Sequence, residues 1–122
     1  MSDCSVCIGS DPDGYCEFFE SRTVKARKEQ RCCECRRVIQ KGEPYEYAAG
    51  KYEGDFFTAK TCLFCEAVRG AFACGSVAYG ELWEEMREYA FPALTTGCLQ
   101  KLDPQYRGEL IQRWQRWKGL TA

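Results

Sequence analysis

The chain has 122 residues, of which 45% are apolar and 14% aromatic, and its formal net charge is −1. This length and composition fit one compact domain with a small core and argue against disorder. The chain contains 10 cysteines and no histidine. It therefore excludes Ser-His-Asp and Cys-His catalysis, histidine-dependent zinc hydrolysis and Cys₂His₂ zinc fingers.

The first twenty residues form an acidic segment without basic side chains. They include neither the basic start nor the apolar stretch of a secretory signal, and no apolar run in the chain is long enough to span a bilayer. We therefore predict a cytoplasmic protein with no membrane association. In the reducing cytoplasm, clustered cysteines bind metal more often than they form disulfides. The alternative is a secreted domain held together by disulfides. The acidic residues of this segment are Asp3, Asp11, Asp13, Glu17 and Glu20.

Basic residues dominate the next segment, residues 22–37, which we call the basic strip. Such a strip can contact nucleic-acid phosphates even when the whole chain is slightly acidic. It can equally pair with the acidic segment of the same molecule or form a solvated face, and we favour this pairing. The basic strip consists of Arg22, Lys25, Arg27, Lys28, Arg31, Arg36 and Arg37.

The strongest motif is a pair of C-x2-C sequences separated by 26 residues. Each C-x2-C turn presents two sulfurs on one side of a tight loop, so two such turns supply the four ligands of a tetrahedral zinc ion. The sequence therefore predicts one structural zinc site. Its ligands are Cys32, Cys35, Cys62 and Cys65.

Between these cysteine pairs the sequence predicts a β-hairpin, with strands at residues 38–39, 45–47 and 56–61 and a turn over residues 50–54. Apolar residues then recur at helical spacing until residue 74. Thr61 is the predicted N-cap of this helix. The second cysteine pair would lie in its first turn, where the helix dipole favours a thiolate.

This order of elements resembles the treble-clef zinc finger, as found in LIM-like modules. The matching residues are CCECRRVIQKGEPYE at 32–46 and TCLFC at 61–65. The whole chain also resembles small cysteine-rich proteins of tailed phages and prophages, through residues 27–28, GKYEGDF at 50–56 and TTGC at 95–98. The resemblance implies a zinc-binding accessory protein. Treble-clef nucleases use a histidine that this chain lacks.

A third C-x2-C sequence, formed by Cys4 and Cys7, opens the chain. It could be a redox pair, but the βαβ context of a thioredoxin is missing, so we favour a second zinc ion. The candidates for its other ligands are Cys16, Cys33, Cys74 and Cys98. We predict Cys4, Cys7, Cys74 and Cys98, because the last two lie at chain turns. Alternatively these cysteines are buried thiols that act as small hydrophobes.

Two further helices complete the predicted fold. One covers residues 80–91 and ends at Pro92; the other has Asp103 as N-cap and Pro104 at its first position, and it stops at Gly119. We therefore predict a single α+β domain of residues 1–122. It is divided into the acidic segment (1–20), a treble-clef core (32–74) and a helical C-terminal part (78–118).

The predicted function is that of a non-catalytic zinc-binding accessory protein that binds a partner protein. If the chain is phage-encoded, the partner is a host protein in the host cytoplasm. The aromatic stripe of the last helix is usually core, but Trp114, Arg116 and Trp117 are partner-binding candidates because tryptophan and arginine are enriched at interface hot spots. The alternative function is nucleic-acid binding through the basic strip. The sequence indicates no small-molecule substrate, and an enzyme using a cysteine nucleophile is the least favoured class.

Overall fold

The computed structural model describes the backbone of residues 4–9 and 16–121, and the side chains of residues 4–9 and 18–119. The strands in this part of the chain come first and the helices follow, which confirms the predicted α+β class. The strands are β1 (Cys16–Lys25), β2 (Gln30–Arg31), β3 (Val38–Ile39), β4 (Pro44–Tyr52) and β5 (Asp55–Cys62). The α-helices are α1 (Leu63–Phe72), α2 (Leu82–Glu85) and α3 (Pro104–Thr121). A π-helical turn over Met86–Ala90 and 3₁₀ turns over Phe91–Ala93 and Thr96–Lys101 join α2 to α3.

The main sheet is antiparallel, with the strand order β1-β4-β5. The predicted hairpin is present as β4 and β5, but both strands are longer than predicted. The turn is confined to Glu53 and Gly54, whose φ angles are 49° and 86°. Gly50 lies inside β4, where the ring of Phe57 covers it, so a Cβ atom there would lie 2.7 Å from that ring.

One face of the sheet packs on α1. Directly opposed residues on paired antiparallel strands point to the same side, which places Glu46 beside Thr61 and Ala48 beside Ala59 on this face. Glu46 reaches across to α1, where Nη2 of Arg69 donates hydrogen bonds to both carboxylate oxygens at 2.6 and 2.7 Å. A buried ion pair therefore fixes the helix to the sheet.

The C-terminal helices differ from the prediction in their boundaries. The helix predicted over residues 80–91 is α2 followed by the π-helical turn, and Pro92 lies inside a 3₁₀ turn rather than after the helix. Asp103 does cap α3, since its Oδ1 accepts a hydrogen bond from the backbone N–H of Gln105 at 3.1 Å. Gly119 does not end α3, which continues to Thr121.

The core lies between α1, α2 and α3. Its fully buried apolar side chains include Phe64, Phe72, Leu82, Met86 and Leu110, each no more than 2% exposed. Within the described residues, no helix combines the length and the apolar character needed to cross a membrane.

Candidate metal centre

The first cysteine pair lies in a turn that the small β2–β3 ladder holds closed. The backbone N–H of Cys32 donates to the carbonyl of Arg37, and the N–H of Arg36 donates to the carbonyl of Cys32, both at 3.0 Å. Arg36 has a φ angle of 65°. This left-handed residue turns the chain back, so the sulfurs of Cys32 and Cys35 lie on the same side of the turn.

The second cysteine pair lies where β5 passes directly into α1. Cys62 is the last residue of β5 and the N-cap of α1, and Cys65 lies in the first helical turn. The prediction that Thr61 caps this helix is wrong, because the strand continues through Cys62. The Thr61 hydroxyl lies 3.5 Å from Sγ of Cys33 instead, on the neighbouring turn.

The four predicted sulfurs form one compact cluster, which we call the tetracysteine cluster: Cys32, Cys35, Cys62 and Cys65. Their Sγ atoms all lie within 4.8 Å of one another. The Cys35 and Cys62 sulfurs are 3.8 Å apart. A tetrahedral zinc ion with Zn–S bonds of about 2.3 Å places its ligand sulfurs about 3.8 Å apart. The cluster therefore has the size of a tetrathiolate metal site.

Hydrogen-bond donors point at the sulfurs of this cluster. Sγ of Cys32 accepts hydrogen bonds from the backbone N–H groups of Glu34 and Cys62, both at 3.4 Å. Sγ of Cys65 accepts one from the indole Nε1 of Trp83 at 3.3 Å. Such donors stabilise negative charge on thiolate sulfur and orient the ligands around a metal. The geometry is therefore set up for charged sulfurs rather than for neutral thiols.

The same conclusion follows from the proton affinities of the cluster. Hydrogen bonds from Cys35, Cys62 and Cys65 hold the pKa of Cys32 far below its ordinary value. The pKa of Cys65 is shifted the other way: its interaction with Cys32, and to a smaller extent that with Cys35, raises it. Without a cation, the lowered pKa values of Cys32 and Cys35 come at the expense of Cys62 and Cys65, whose pKa values are raised. A bound divalent cation allows all four to ionise, because metal ligation requires thiolates.

Glu34, inside the first turn, connects the tetracysteine cluster to the C-terminal helices. Its Oε1 accepts hydrogen bonds from the backbone N–H groups of Gly80 and Leu82, both at 3.0 Å. Burial raises the pKa of this carboxyl despite the two donors. The turn that carries Cys32 and Cys35 is therefore tied directly to the start of α2.

The other cysteine predictions have different outcomes. The structure joins Cys4 to Cys98 and Cys7 to Cys74 as disulfide pairs. It thus brings the four predicted ligands of the second site together in pairs, and whether they bind metal stays a prediction. Cys33 is a free thiol that contacts Thr61 and does not belong to the tetracysteine cluster. The side chain of Cys16 lies outside the described residues.

All residues of the basic strip are exposed. Within the described part of the chain, Arg37 forms an ion pair with Glu43 at 2.9 Å, whereas no ion pair involves the remaining members of the strip. The predicted pairing with the acidic segment stays a prediction, because Asp3, Asp11 and Asp13 and the side chain of Glu17 lie outside the described residues.

The partner-binding candidates of α3 lie at the edge of the core. Trp117 is half-buried, with its ring centroid 5.8 Å from that of Phe91. Trp114 is half-buried beneath Lys118, whose Nζ lies 3.8 Å from the ring centroid. Arg116 is exposed. The structure therefore offers less free tryptophan surface on α3 than the sequence pattern indicates.

Sequence reasoning missed three residues that support the site. Trp83 and Glu34 act through tertiary hydrogen bonds that no local pattern signals. Arg69 pairs with Glu46, and its guanidinium also lies 5.1 Å from the ring centroid of Tyr79. Burial, reinforced by the charge of Glu46, raises the pKa of Tyr79 to about 12. The one basic residue of a mostly apolar helix was the only signal that could have identified this pair.

Comparison with protein-family models, curated proteins and solved structures gives no match for the chain. The interpretation of the site therefore depends on its own geometry.

Proposed function

We propose that this chain is a non-catalytic zinc-binding accessory protein that acts in the cytoplasm by docking on a partner protein. The tetracysteine cluster supports zinc, because four thiolates in a tetrahedral arrangement are the ligand set of structural zinc sites. The order of cysteine turn, hairpin, and cysteine pair at a helix start supports a treble-clef finger.

Three features support a structural rather than a catalytic role for this zinc. Catalytic zinc sites keep one coordination position open for water or substrate, whereas four thiolates fill every position. The sulfurs are also enclosed: Cys32, Cys62 and Cys65 are at most 1% exposed. A chain without histidine lacks the usual general base.

The observation that carries the docking proposal is a group of exposed aromatic side chains at the outer end of the sheet. We call this group the aromatic end: Phe18 and Phe56, which are 46% and 74% exposed and lie on the same face of the sheet. The rings of Phe18 and Phe56 are neighbours, with centroids 6.0 Å apart. Grouped apolar side chains on a surface mark interaction sites, and aromatic residues are enriched in such interfaces.

The resemblance to phage and prophage proteins supports a host protein as the partner. The net charge of −1 agrees with a protein partner better than with a polyanion. The partner is expected to present an apolar surface to the aromatic end, because burying the Phe56 ring supplies the largest gain in apolar contact.

The test compares Phe56→Ser with Tyr89→Ser, since Tyr89 is an exposed aromatic residue, 57% exposed, that lies outside the aromatic end. Each immobilised protein is incubated with lysate of the cell that makes it, and bound proteins are identified by mass spectrometry. We expect a protein that wild type and Tyr89→Ser retain and Phe56→Ser loses. Equal recovery by all three would contradict docking at the aromatic end.

Nucleic-acid binding is the second candidate, favoured by the outer face of the sheet. On the face opposite α1, Arg22, Tyr47 and Lys60 form one cross-strand row, and Phe18, Lys51 and Phe56 form another. A basic surface with aromatic rings can contact phosphates and stack bases.

A mobility-shift assay separates the two candidates. It uses single-stranded and duplex DNA at low and moderate salt, with wild type and a variant in which five residues of the basic strip become glutamine: Arg22, Lys25, Arg27, Lys28 and Arg31. Nucleic-acid binding requires a steep salt dependence in wild type, reduced by about one unit per lost contact in the variant. We expect wild type not to bind at physiological salt.

A further inference from the structure

Four cysteines outside the tetracysteine cluster are gathered at the opposite end of α1. Cys7 and Cys74 are separated by 67 residues but have Cα atoms 5.4 Å apart. Cys4 and Cys98 are separated by 94 residues, with Cα atoms 4.8 Å apart. Cys4 and Cys7 are three residues apart, so their Cα atoms are at most about 11 Å apart. All four side chains therefore start from one small region.

The backbone, independently of any sulfur bond, seats the segment that carries Cys4 and Cys7. Ile8 forms a parallel bridge with Ala73; its N–H donates to the carbonyl of Phe72, and its carbonyl accepts from the N–H of Cys74, both at 3.1 Å. The side chains of Val6 and Ile8 are buried in the core, 5% and 1% exposed. The position of the segment that carries Cys4 and Cys7 thus follows from main-chain pairing and apolar packing.

The pairing pattern argues against a redox pair within the C-x2-C sequence. A thioredoxin-like pair would join Cys4 to Cys7, whereas here each contacts a cysteine from a distant segment. Like the tetracysteine cluster, which combines two C-x2-C pairs, this group offers four cysteine sulfurs, here from one C-x2-C pair and two single cysteines of distant segments. This pattern of ligands is the one that structural zinc sites use.

We propose that Cys4, Cys7, Cys74 and Cys98, when reduced, form a second zinc site. This inference rests on the proposed cytoplasmic function, because thiols stay reduced in the cytoplasm and structural disulfides are rare there. Under those conditions backbone pairing still holds the segment of Cys7 beside Cys74, and the four thiols match the donor set that zinc prefers. The Thr95 hydroxyl, 3.4 Å from Sγ of Cys98, is placed to donate a hydrogen bond to the thiolate.

The second site also has a structural consequence. It would link the N-terminal segment to residues beyond both ends of the α2 region, since Cys74 follows α1 and Cys98 lies in the 3₁₀ turn over Thr96–Lys101. A zinc ion there would fasten the two ends of the core. The tetracysteine cluster would fasten the hairpin to the start of α1.

The test is a zinc count on protein prepared with zinc under a reducing, oxygen-free atmosphere. Native mass spectrometry measures metal per chain for wild type, for a Cys4→Ser/Cys7→Ser variant and for a Cys33→Ser control. Alkylation of the denatured protein then counts free thiols. We expect about two zinc ions for wild type and for the control, and about one for the double variant, with no disulfide in wild type.

Each other outcome overturns the second site in a distinguishable way. About one zinc ion in wild type, with Cys4 and Cys7 cross-linked to Cys98 and Cys74, means that these cysteines form disulfides while the tetracysteine cluster is correct. About two zinc ions in both wild type and the double variant places the second ion elsewhere. A wild type without zinc overturns the second site and the tetracysteine zinc site together.

Discussion

The two ends of the β4–β5 hairpin differ in what covers them. At the end where β5 enters α1, Thr61 and Cys62 are at most 1% exposed, and Cys62 belongs to the tetracysteine cluster. At the other end Phe56 is 74% exposed although it lies in the same strand. The same two strands thus run from the buried tetracysteine cluster at one end to a solvent-exposed surface at the other. The difference separates the residues that stabilise the fold from those available to a partner, and the following substitutions test it.

The largest effect is expected from Cys65→Ser. A serine hydroxyl does not replace a thiolate ligand, and structural zinc contributes about 10 kcal/mol or more in small metal-dependent domains, comparable to the total stability of a domain. We expect loss of metal and of the cooperative thermal transition, measured by native mass spectrometry and circular dichroism. Cys33→Ser is the matched control, because its hydroxyl keeps the contact with Thr61. If the two variants melt alike, the cluster is not a metal site.

The next largest effect is expected from Arg69→Met, which leaves the Glu46 carboxylate buried without its partner. Breaking a buried ion pair from one side costs about 3 kcal/mol. Arg37→Met breaks the more exposed pair with Glu43 and should cost less than about 1 kcal/mol. Urea denaturation measures both values. Equal losses would show that the β4–α1 ion pair is not what anchors the helix.

A smaller effect is expected from Trp83→Phe, which keeps an aromatic ring but removes the donor to Cys65. A hydrogen bond to a charged group contributes about 2 kcal/mol. We expect lower stability and faster zinc loss to a chelator. Trp114→Phe is the control: Nε1 of Trp114 is buried without a hydrogen-bond partner in the described part of the chain, so its removal should cost little. Zinc loss at the same rate in both variants would argue against a role for the indole.

The smallest effect is expected at the other end of the hairpin, from Phe56→Ser. Substitutions of exposed side chains usually change stability by less than about 0.5 kcal/mol. Thermal denaturation should therefore give nearly the wild-type midpoint, so that any loss of partner binding reflects the surface. A drop of several degrees in the midpoint would instead mean that Phe56 stabilises the fold. A loss of binding by Phe56→Ser would then reflect lost stability and not only the changed surface.

The tetracysteine cluster could be predicted from sequence because its signal is local and chemically specific: each C-x2-C turn fixes two ligands by itself. Strand β1 was not predicted. Its residues cross from the acidic segment into the basic strip, and its pairing partner β4 begins at Pro44, far along the chain. The sequence of β1 was interpreted through its charges, whereas its strand structure depends on pairing with the distant strand β4.

Two features of the site that the sequence did not reveal were decided by tertiary contacts. Thr61 has the residue type of an N-cap, but its hydroxyl contacts Cys33 because β5 continues one residue further. Trp83 has the spacing of a core residue and is one, 6% exposed, yet its indole also donates a hydrogen bond to the Cys65 sulfur. Helical periodicity identifies the buried face but not the polar atom that a neighbouring element will meet.

The N-terminal segment pairs with Ala73, which is synthesised much later. Cys4 and Cys7 are therefore among the last cysteines to reach their folded positions. Cys98, which pairs with Cys4, lies 94 residues further along the chain. The ribosome needs roughly 5–20 s to synthesise a stretch of that length. The tetracysteine cluster, whose last member is Cys65, can close earlier during translation. Early closure would withdraw four thiols from wrong pairing with Cys4 and Cys7, so the order in which the chain emerges itself protects the correct cysteine pairing.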